Sequence, residues 1–255
     1  MLFLEGFPMK RHAFAAATVI GLTLGGGAQA ATLFDQSLAS PGWFDGSGNP
    51  NGGFTVNTDN GITTAQRVKL RQDPNVIHSS NGVYDVPTGP QPSSPSHAAW
   101  NYEFSIGCDS GTCPGGNLAA LLGTSTMTVA DLTTGHANTV SMLTWLDDAT
   151  WNGSAKSTLF DLSSFIAQNS ENPIFADFPL AAFYNENSPD IYRFTINVKD
   201  LTGDVLDTNT VWANASGLSF LPGVPEPSTW AMMLLGFGAI GGMMRARRRR
   251  EALAA

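Results

Sequence analysis

Apolar and polar side chains alternate along two segments of this chain, and a period of two residues restricts both segments to extended strands. The first runs from Trp100 to Ile106, where every second residue is aromatic or aliphatic. The second runs from Tyr192 to Lys199, and Thr202-Gly203-Asp204 follows it as a turn signal. Such alternation places one set of side chains in a core and the other toward solvent. We therefore predict a half-buried strand over 100–106 and a hairpin that pairs 192–199 with Val205–Trp212.

Shorter segments of strand-forming residues occur through the rest of the chain body, and turn signals such as Asp59-Asn60-Gly61 and Asn81-Gly82 separate some of them: Phe54–Val56, Val68–Leu70, Val76–Ile77, Val83–Tyr84, Thr124–Val129 and Val140–Leu146. Proline cannot donate to a strand ladder, so Pro87–Pro95 is predicted to be an extended loop. Only Leu159–Gln168 hints at a short helix. Many short strands without a long amphipathic helix predict an all-β fold, specifically an antiparallel β-sandwich.

The C-terminal tail has the composition of a membrane span. Residues 228–244 carry no charge and would form a helix of about 25 Å, slightly short of a bilayer core. Trp230 lies near one end of this span, and five arginines follow the other: Arg245, Arg247, Arg248, Arg249 and Arg250. The positive-inside rule keeps the arginines in the cytoplasm and leaves the residues before Pro225 outside. We predict a single transmembrane helix, the alternative being a buried core helix that ends in a basic tail.

The residues before the span form a recognisable motif. Pro225-Glu226-Pro227 comes directly after Val224, and Trp230-Ala231 follows two residues later. Together with the span and the arginines, this arrangement over 222–250 resembles the PEP-CTERM sorting signal of Gram-negative bacteria, in its PEPxxWA variant. The resemblance implies recognition by an exosortase, a membrane-embedded cysteine protease that cuts near Pro-Glu-Pro. It implies nothing about the activity of the exported domain.

The N-terminus has the features of a secretory signal peptide. Lys10-Arg11-His12 precedes the apolar run Ala13–Leu24, and Ala28-Gln29-Ala30 supplies a small-residue cleavage site. We predict a signal peptide over 1–30 that the Sec machinery uses for export, with cleavage between Ala30 and Ala31. Met9 is an alternative start, because Glu5 would spoil an ordinary positively charged n-region. The protein is then expected to be anchored transiently in the inner membrane before it reaches the cell surface or the medium.

The region between these signals, 31–221, is long enough for one exported domain. It contains 18 acidic and six basic residues, a formal net charge of −12. Such a surface repels phosphate backbones, which excludes nucleic acid as a partner. Cys108 and Cys113 lie on either side of a turn-forming segment, so export through an oxidising compartment predicts a local disulfide between them. A zinc ligand pair is the alternative.

Catalytic motifs are absent from the sequence: it has no G-x-S-x-G, no H-E-x-x-H and no phosphate-binding glycine loop. His78, His97 and His136 are far apart in turn-like surroundings and are predicted to be solvated. Asp147-Asp148 and Glu103 could supply carboxylates to a glycosidase, but adjacent strand residues face opposite sides of a sheet. We therefore predict no catalytic residue, no cofactor and no metal site.

Two weaker binding patterns stay open. The segment Asp45–Gly53 has oxygen-bearing side chains at alternate positions, as calcium loops do, although Asx turns explain the same residues. Trp43, Trp151 and Trp212 lie beside polar residues and could form a platform that stacks on sugars. The exported domain is therefore predicted to be a non-catalytic structural or interaction protein of the cell surface or extracellular matrix. The alternative is a carbohydrate-binding module that acts on exopolysaccharide, a polymer that the resemblance implies.

Overall fold

A computed structural model describes residues 31–40, 42–45, 50–79, 81–109, 113, 116–145, 149–151, 165–220 and 222. The described residues form strands and two short helices, in chain order β1 (Leu33–Gln36), β2 (Phe54–Asp59), β3 (Ile62–Leu70), β4 (Val83–Asp85), β5 (Pro90–Gln91), β6 (Ser94–Ala98), β7 (Trp100–Cys108), α1 (Leu118–Thr124), β8 (Thr126–Asp131), β9 (Ala137–Ser141), α2 (Met142–Trp145), β10 (Thr150–Trp151), β11 (Ile166–Glu171), β12 (Ile191–Lys199) and β13 (Val205–Asn214).

The strands form two main sheets and one small ribbon. The six-stranded sheet has the order β1-β2-β3-β7-β11-β10, the five-stranded sheet has the order β4-β13-β12-β8-β9, and β5 pairs with β6. The all-β prediction is therefore confirmed. The antiparallel part of the prediction needs one correction, because the edge strand β4 pairs with β13 in parallel. β4 and β13 are far apart along the chain, so no tight turn between them fixes their relative direction.

The two sheets pack face to face through large apolar side chains from alternate strand positions. Tyr102 of β7 stacks on Phe194 of β12 with ring centroids 4.4 Å apart, and Phe178 stacks on Tyr102 at 5.7 Å. Trp100 contacts Tyr192 at 6.0 Å. All of these side chains are buried. Burial of each such side chain stabilises the fold by about 1.5–3 kcal/mol, and their alternation along the strands explains the period-two pattern in the sequence.

A buried polar cluster also joins the sheets. Asp207 of β13 accepts hydrogen bonds from Asn57 Nδ2 at 2.5 Å and from Thr64 Oγ1 at 2.6 Å. The Asn209 amide donates to the backbone carbonyls of Thr55 and Thr64. Desolvation by burial raises the pKa of Asp207, although the hydrogen bonds from Thr64 and Asn57 oppose the rise. Because these groups lose water on folding, the native alignment of β13 on β2 and β3 gives the Asp207 carboxylate and the two amide nitrogens their partners, while Oδ1 of Asn57 and of Asn209 has none among the described residues.

Several predicted strands and turns are confirmed. The hairpin of β12 and β13 pairs residues 191–199 with 205–214, and 100–106 lies within β7. Residues 124–129 are largely β8. Asn60 and Gly61 connect β2 to β3 with φ values of 50° and 77°. Positive φ at both central residues is the requirement of the tight hairpin turn that Asn-Gly predicts.

Other local predictions are wrong. The predicted strand Val140–Leu146 is extended only to Ser141, after which α2 begins, and Val76–Ile77 is not a strand. The predicted helix Leu159–Gln168 overlaps β11 at its end, and its residues 159–164 lie outside the described part. Part of the proline-rich loop forms β5 and β6. The helix α1 was not predicted, although Asn117 caps it by accepting a bond from the Ala120 N–H.

Candidate functional site

The predicted sorting and processing residues lie outside the described part of the chain. This applies to the signal peptide with Ala28 and Ala30, and to the tail from Val224 through Arg250. Ala31, predicted to follow the signal-peptide cleavage site, is described and exposed. Among the described residues, no helix is both long and apolar enough to cross a membrane. The predicted span over 228–244 belongs to the undescribed tail.

The predicted disulfide is present. Cys108 and Cys113 are joined, with their Cα atoms 5.2 Å apart. Cys108 is the last residue of β7, so the bond ties the segment that follows to the end of a central strand. Both cysteines pack against the core between the sheets. This confirms the pairing and excludes the alternative of a zinc ligand pair.

Glu103 is buried in an ion pair and is not a solvent-exposed turn carboxylate. Arg67 reaches it across the β3–β7 ladder, where Nε and Nη2 lie 2.6 and 2.5 Å from Glu103 Oε2. Both side chains are 1% exposed. Desolvation by burial raises the pKa of Glu103, and the Arg67 guanidinium opposes this rise. Asp147 and Asp148, the other carboxylates considered for a glycosidase pair, lie outside the described residues.

Arg67 also holds the N-terminal segment on the sheet. Its Nη1 donates to the carbonyl oxygens of Pro50 at 2.8 Å and Gly52 at 2.5 Å. The guanidinium lies over the rings of Phe54, at 4.2 Å, and Trp43, at 5.2 Å. The guanidinium is therefore held by two aromatic faces, two carbonyls and the Glu103 carboxylate, and among the described residues Nη2 takes part only through the ion pair. This role of Arg67 could not be predicted from the sequence, because its partners come from three separate segments.

The Asp45–Gly53 segment uses its polar residues to hold the fold together. Asp45 is buried and accepts a bond from Thr150 Oγ1 at 2.6 Å. Asn51 bonds to the backbone of Leu38 through both its amide oxygen and its amide nitrogen. Residues 46–49 lie outside the described part. Within the described ranges, no three His, Cys, Asp or Glu side chains converge in a way that could hold a metal ion.

The three histidines are in separate places. His78 Nδ1 lies 2.7 Å from Asp35 Oδ1 on the surface, His97 bonds to Ser94 and His136 bonds to Thr134. The tryptophans predicted to form a sugar platform do not come together either. Trp43 is buried against Phe54 on the six-stranded sheet, and Trp212 is half-buried against Phe220 on the five-stranded sheet. Trp151 lies in β10, and its side chain is not described.

A cleft of about 340 Å³ lies on the outer face of the six-stranded sheet, beside the segment 33–42. Its lining is mixed, with Val56, Ala65 and Ile166 among the apolar residues and Ser37 and Gln168 among the polar ones. The Gln168 amide is already occupied, because it donates to the Gly42 carbonyl and accepts from the Phe44 N–H, each at 2.9 Å. Cross-strand hydroxyls of Thr58 and Thr63 lie 3.1 Å apart at this cleft.

The outer face of the five-stranded sheet carries two rows of polar residues in register. Four adjacent strands contribute one residue each to a row, and the strand pairing aligns Thr210, Thr195, Thr128 and Thr139 in one row and Thr208, Asn197, Thr126 and Ser141 in the other. We call these eight residues the threonine face. On the two central strands the residues between them, Met127 and Ile196, are buried in the core, while those of the face are exposed or half-buried.

Hydrogen bonds link neighbouring side chains of the threonine face. The hydroxyls of Thr195 and Thr210 are 3.1 Å apart, and those of Thr128 and Thr139 are 2.9 Å apart. Thr208 Oγ1 donates to Asn197 Oδ1 at 2.9 Å. The sequence shows the individual threonines but not the rows, since a row depends on the register of four strands. Only the Thr208-x-Thr210 and Thr126-x-Thr128 spacings could have suggested it.

The fold and these sites define an all-β, two-sheet protein with a local disulfide and no recognised active site among its described residues. Comparison with known proteins adds one finding. Residues 223–250 match the family model of the PEP-CTERM protein-sorting motif. No curated protein and no solved structure matches the chain significantly. The resemblance of the tail is therefore confirmed, and the motif marks an exported protein that an exosortase sorts at the membrane on its way to the cell surface.

Proposed function

We propose that this protein is a non-catalytic component of the cell surface or extracellular matrix, which an exosortase releases from the inner membrane. The observation that carries the proposal is the sorting motif over 223–250. In this account the Sec machinery exports the chain and the signal peptide 1–30 is removed. The span 228–244 then holds the chain in the membrane until cleavage near Pro225-Glu226-Pro227 frees the sandwich domain 31–221.

The folded domain has properties that suit this route. The disulfide between Cys108 and Cys113 is a bond that forms and persists in oxidising compartments. The formal net charge of −12 over 31–221 keeps an exported domain soluble. Strand ladders and buried polar clusters pair many of the strand residues that lose water on folding.

The assignment as non-catalytic rests on what the candidate groups do in the fold. The carboxylate of Glu103 is buried and neutralised by Arg67, and Asp45 is buried with Thr150. Each of the three histidines has its own local partner. A general acid or base must reach a substrate proton in a cleft. The buried position of Glu103 and Asp45 and the separation of the histidines favour structural roles for all five.

The motif itself can be tested by one substitution. In a host with an exosortase, Glu226→Ala should leave the protein in the membrane fraction, whereas the wild-type domain should be found at the surface or in the medium. The matched control is Glu251→Ala, which removes a carboxylate beyond the arginines and should not affect release. Release of the Glu226→Ala variant at the wild-type level would contradict the proposed route.

A second candidate function is a carbohydrate-binding module that acts on exopolysaccharide. The observation that favours it is the threonine face, which presents hydroxyl and amide groups at regular positions on an outer sheet surface. The predicted tryptophan platform does not support it, because Trp43 and Trp212 lie on different sheets. We therefore base this candidate sugar site on polar contacts.

A further inference from the structure

The threonine face is a regular array of hydrogen-bonding groups. Neighbouring strands lie about 4.8 Å apart, and alternate residues along a strand are about 6.7 Å apart. Four strands contribute to each row, so a row spans about 14 Å. A polymer of repeating polar units can lie along such a row and meet an equivalent group at each strand.

The side chains of the face are held in place before any ligand arrives. Threonine is stiff about χ1 because it is β-branched, and the cross-strand bonds within the rows fix the hydroxyls further. A hydroxyl has one proton and two lone pairs, so the bond to a row neighbour leaves further hydrogen-bonding capacity. Groups fixed in this way lose little entropy when they bind, which favours affinity for a ligand that offers many weak contacts.

The charge around the face indicates which polymer fits. None of the eight residues is acidic, although the domain carries 18 acidic residues in all. The outward-facing positions of β12 are occupied, in chain order, by Arg193, Thr195, Asn197 and Lys199. The two rows therefore lie between two cations. Neither Arg193 nor Lys199 forms an ion pair with a carboxylate in the described part of the chain. Arg193 is exposed, and its planar guanidinium suits two-point binding of a carboxylate.

We propose that the threonine face binds an acidic polysaccharide, whose sugar hydroxyls bond to the two rows and whose carboxylates pair with Arg193 and Lys199. The inference rests on the second candidate function and gives it a site and a ligand class. Binding is non-covalent, and the carboxylates of the ligand complement Arg193 and Lys199, while Asp200 and Asp204 lie in the turn that follows Lys199. The cleft on the six-stranded sheet takes no part in it, because its Gln168 amide is occupied by the N-terminal segment.

The test uses the full chain purified in mild detergent and titrated with polygalacturonate oligosaccharides in a calorimeter. Thr128→Val with Thr195→Val removes two central hydroxyls and keeps β-branched residues in the strands. The matched control is Thr58→Val with Thr63→Val, which removes a similar cross-strand hydroxyl pair on the other sheet. Loss of two hydrogen bonds should weaken binding about tenfold in the first variant and should leave the control unchanged.

The charge assignment is tested with Arg193→Gln and with the methyl-esterified form of the same oligosaccharides. Wild-type protein should bind the free acid more tightly than the ester, and Arg193→Gln should lose this preference. Equal binding of ester and acid, unchanged binding in the threonine variant, equal losses in the control variant, or no binding would each overturn the inference. Circular dichroism confirms that each variant is folded. Release by the exosortase is measured without any glycan, so failure here is distinguishable from failure of the proposed route.

Discussion

Replacement of Arg67 by methionine should destabilise the domain more than any surface charge change. Methionine is similar in length but has no charge, so the variant leaves the buried Glu103 carboxylate without its cation. It also removes the hydrogen bonds to the Pro50 and Gly52 carbonyls and the contacts with Phe54 and Trp43. The change therefore affects both the central ladder of β3 and β7 and the N-terminal segment that covers it.

The expected size follows from the burial of the pair. Removal of one partner from a buried ion pair costs about 3–5 kcal/mol of the free energy of unfolding, because the other charge is left uncompensated. For a domain of this size, such a loss lowers Tm by about 10 °C. By contrast, Asp35→Asn at the exposed pair with His78 should change the free energy of unfolding by about 1 kcal/mol or less.

A double variant separates the contribution of the ion pair to the free energy of unfolding from the contribution of side-chain packing. Desolvation by burial raises the pKa of Glu103, and Arg67 opposes this rise. The desolvation of a buried ion pair offsets much of the attraction between its charges. Arg67→Met with Glu103→Leu should therefore be more stable than Arg67→Met alone, because neither charge of the pair is then left buried without the other. Urea unfolding followed by tryptophan fluorescence measures all of these variants, with the disulfide intact.

The loss in Arg67→Met should also depend on pH. Without the arginine, the folded-state pKa of Glu103 rises further above the unfolded value, near 4.5, so the folded variant takes up a proton at a higher pH. The stability difference from wild type should be largest above that raised pKa and should shrink as the pH falls through it toward 4.5. A small loss in Arg67→Met that does not change with pH, or no recovery in the double variant, would refute this reasoning.

Three further predictions concern single features. Cys113→Ser should cost less than about 3 kcal/mol because the disulfide closes a short loop, and non-reducing peptide mapping of the wild type should find the Cys108–Cys113 link. Gly53→Ala should cost more than Gly203→Ala in urea unfolding: both have positive φ, but an added Cβ at Gly53 would lie 2.8 Å from the Ile77 carbonyl oxygen, and nothing is close at Gly203. Replacement of all five arginines of 245–250 by glutamine should impair the orientation of the chain in the membrane and its processing. A protease-protection assay measures the orientation, and sorting of this variant at the wild-type level would show that the arginines do not anchor the tail.

The fold was predictable from the sequence wherever a segment is half-buried. Residues 100–106 and the β12–β13 hairpin alternate because one side of each strand faces the core, and Asn60-Gly61 specifies its own turn. The run after Ser141 was assigned wrongly because a short apolar segment fits a strand or a buried helix equally well. The parallel β4–β13 pair is a long-range contact that no local signal encodes.

The candidate sites were less predictable because they depend on strand register. Glu103 was recognised as a carboxylate of interest, but its partner Arg67 is placed opposite it by the β3–β7 ladder. In the same way, Thr195 becomes part of a row only when β13, β12, β8 and β9 are aligned. The disulfide was predictable because its two cysteines are close along the chain. The sorting motif was predictable because it is a continuous segment.

The most direct test of the account is the mass of the mature protein at the surface of a host that has an exosortase. Intact-mass and terminal-peptide spectrometry should place the N-terminus at Ala31 and the C-terminus near Pro225-Glu226-Pro227, without the span or the arginines. In a strain that lacks the exosortase, the tail should still be attached and the protein should stay in the membrane. A surface form that retains residues 228–250, with the exosortase present, would contradict the central claim that this chain is exported and released through its PEP-CTERM motif.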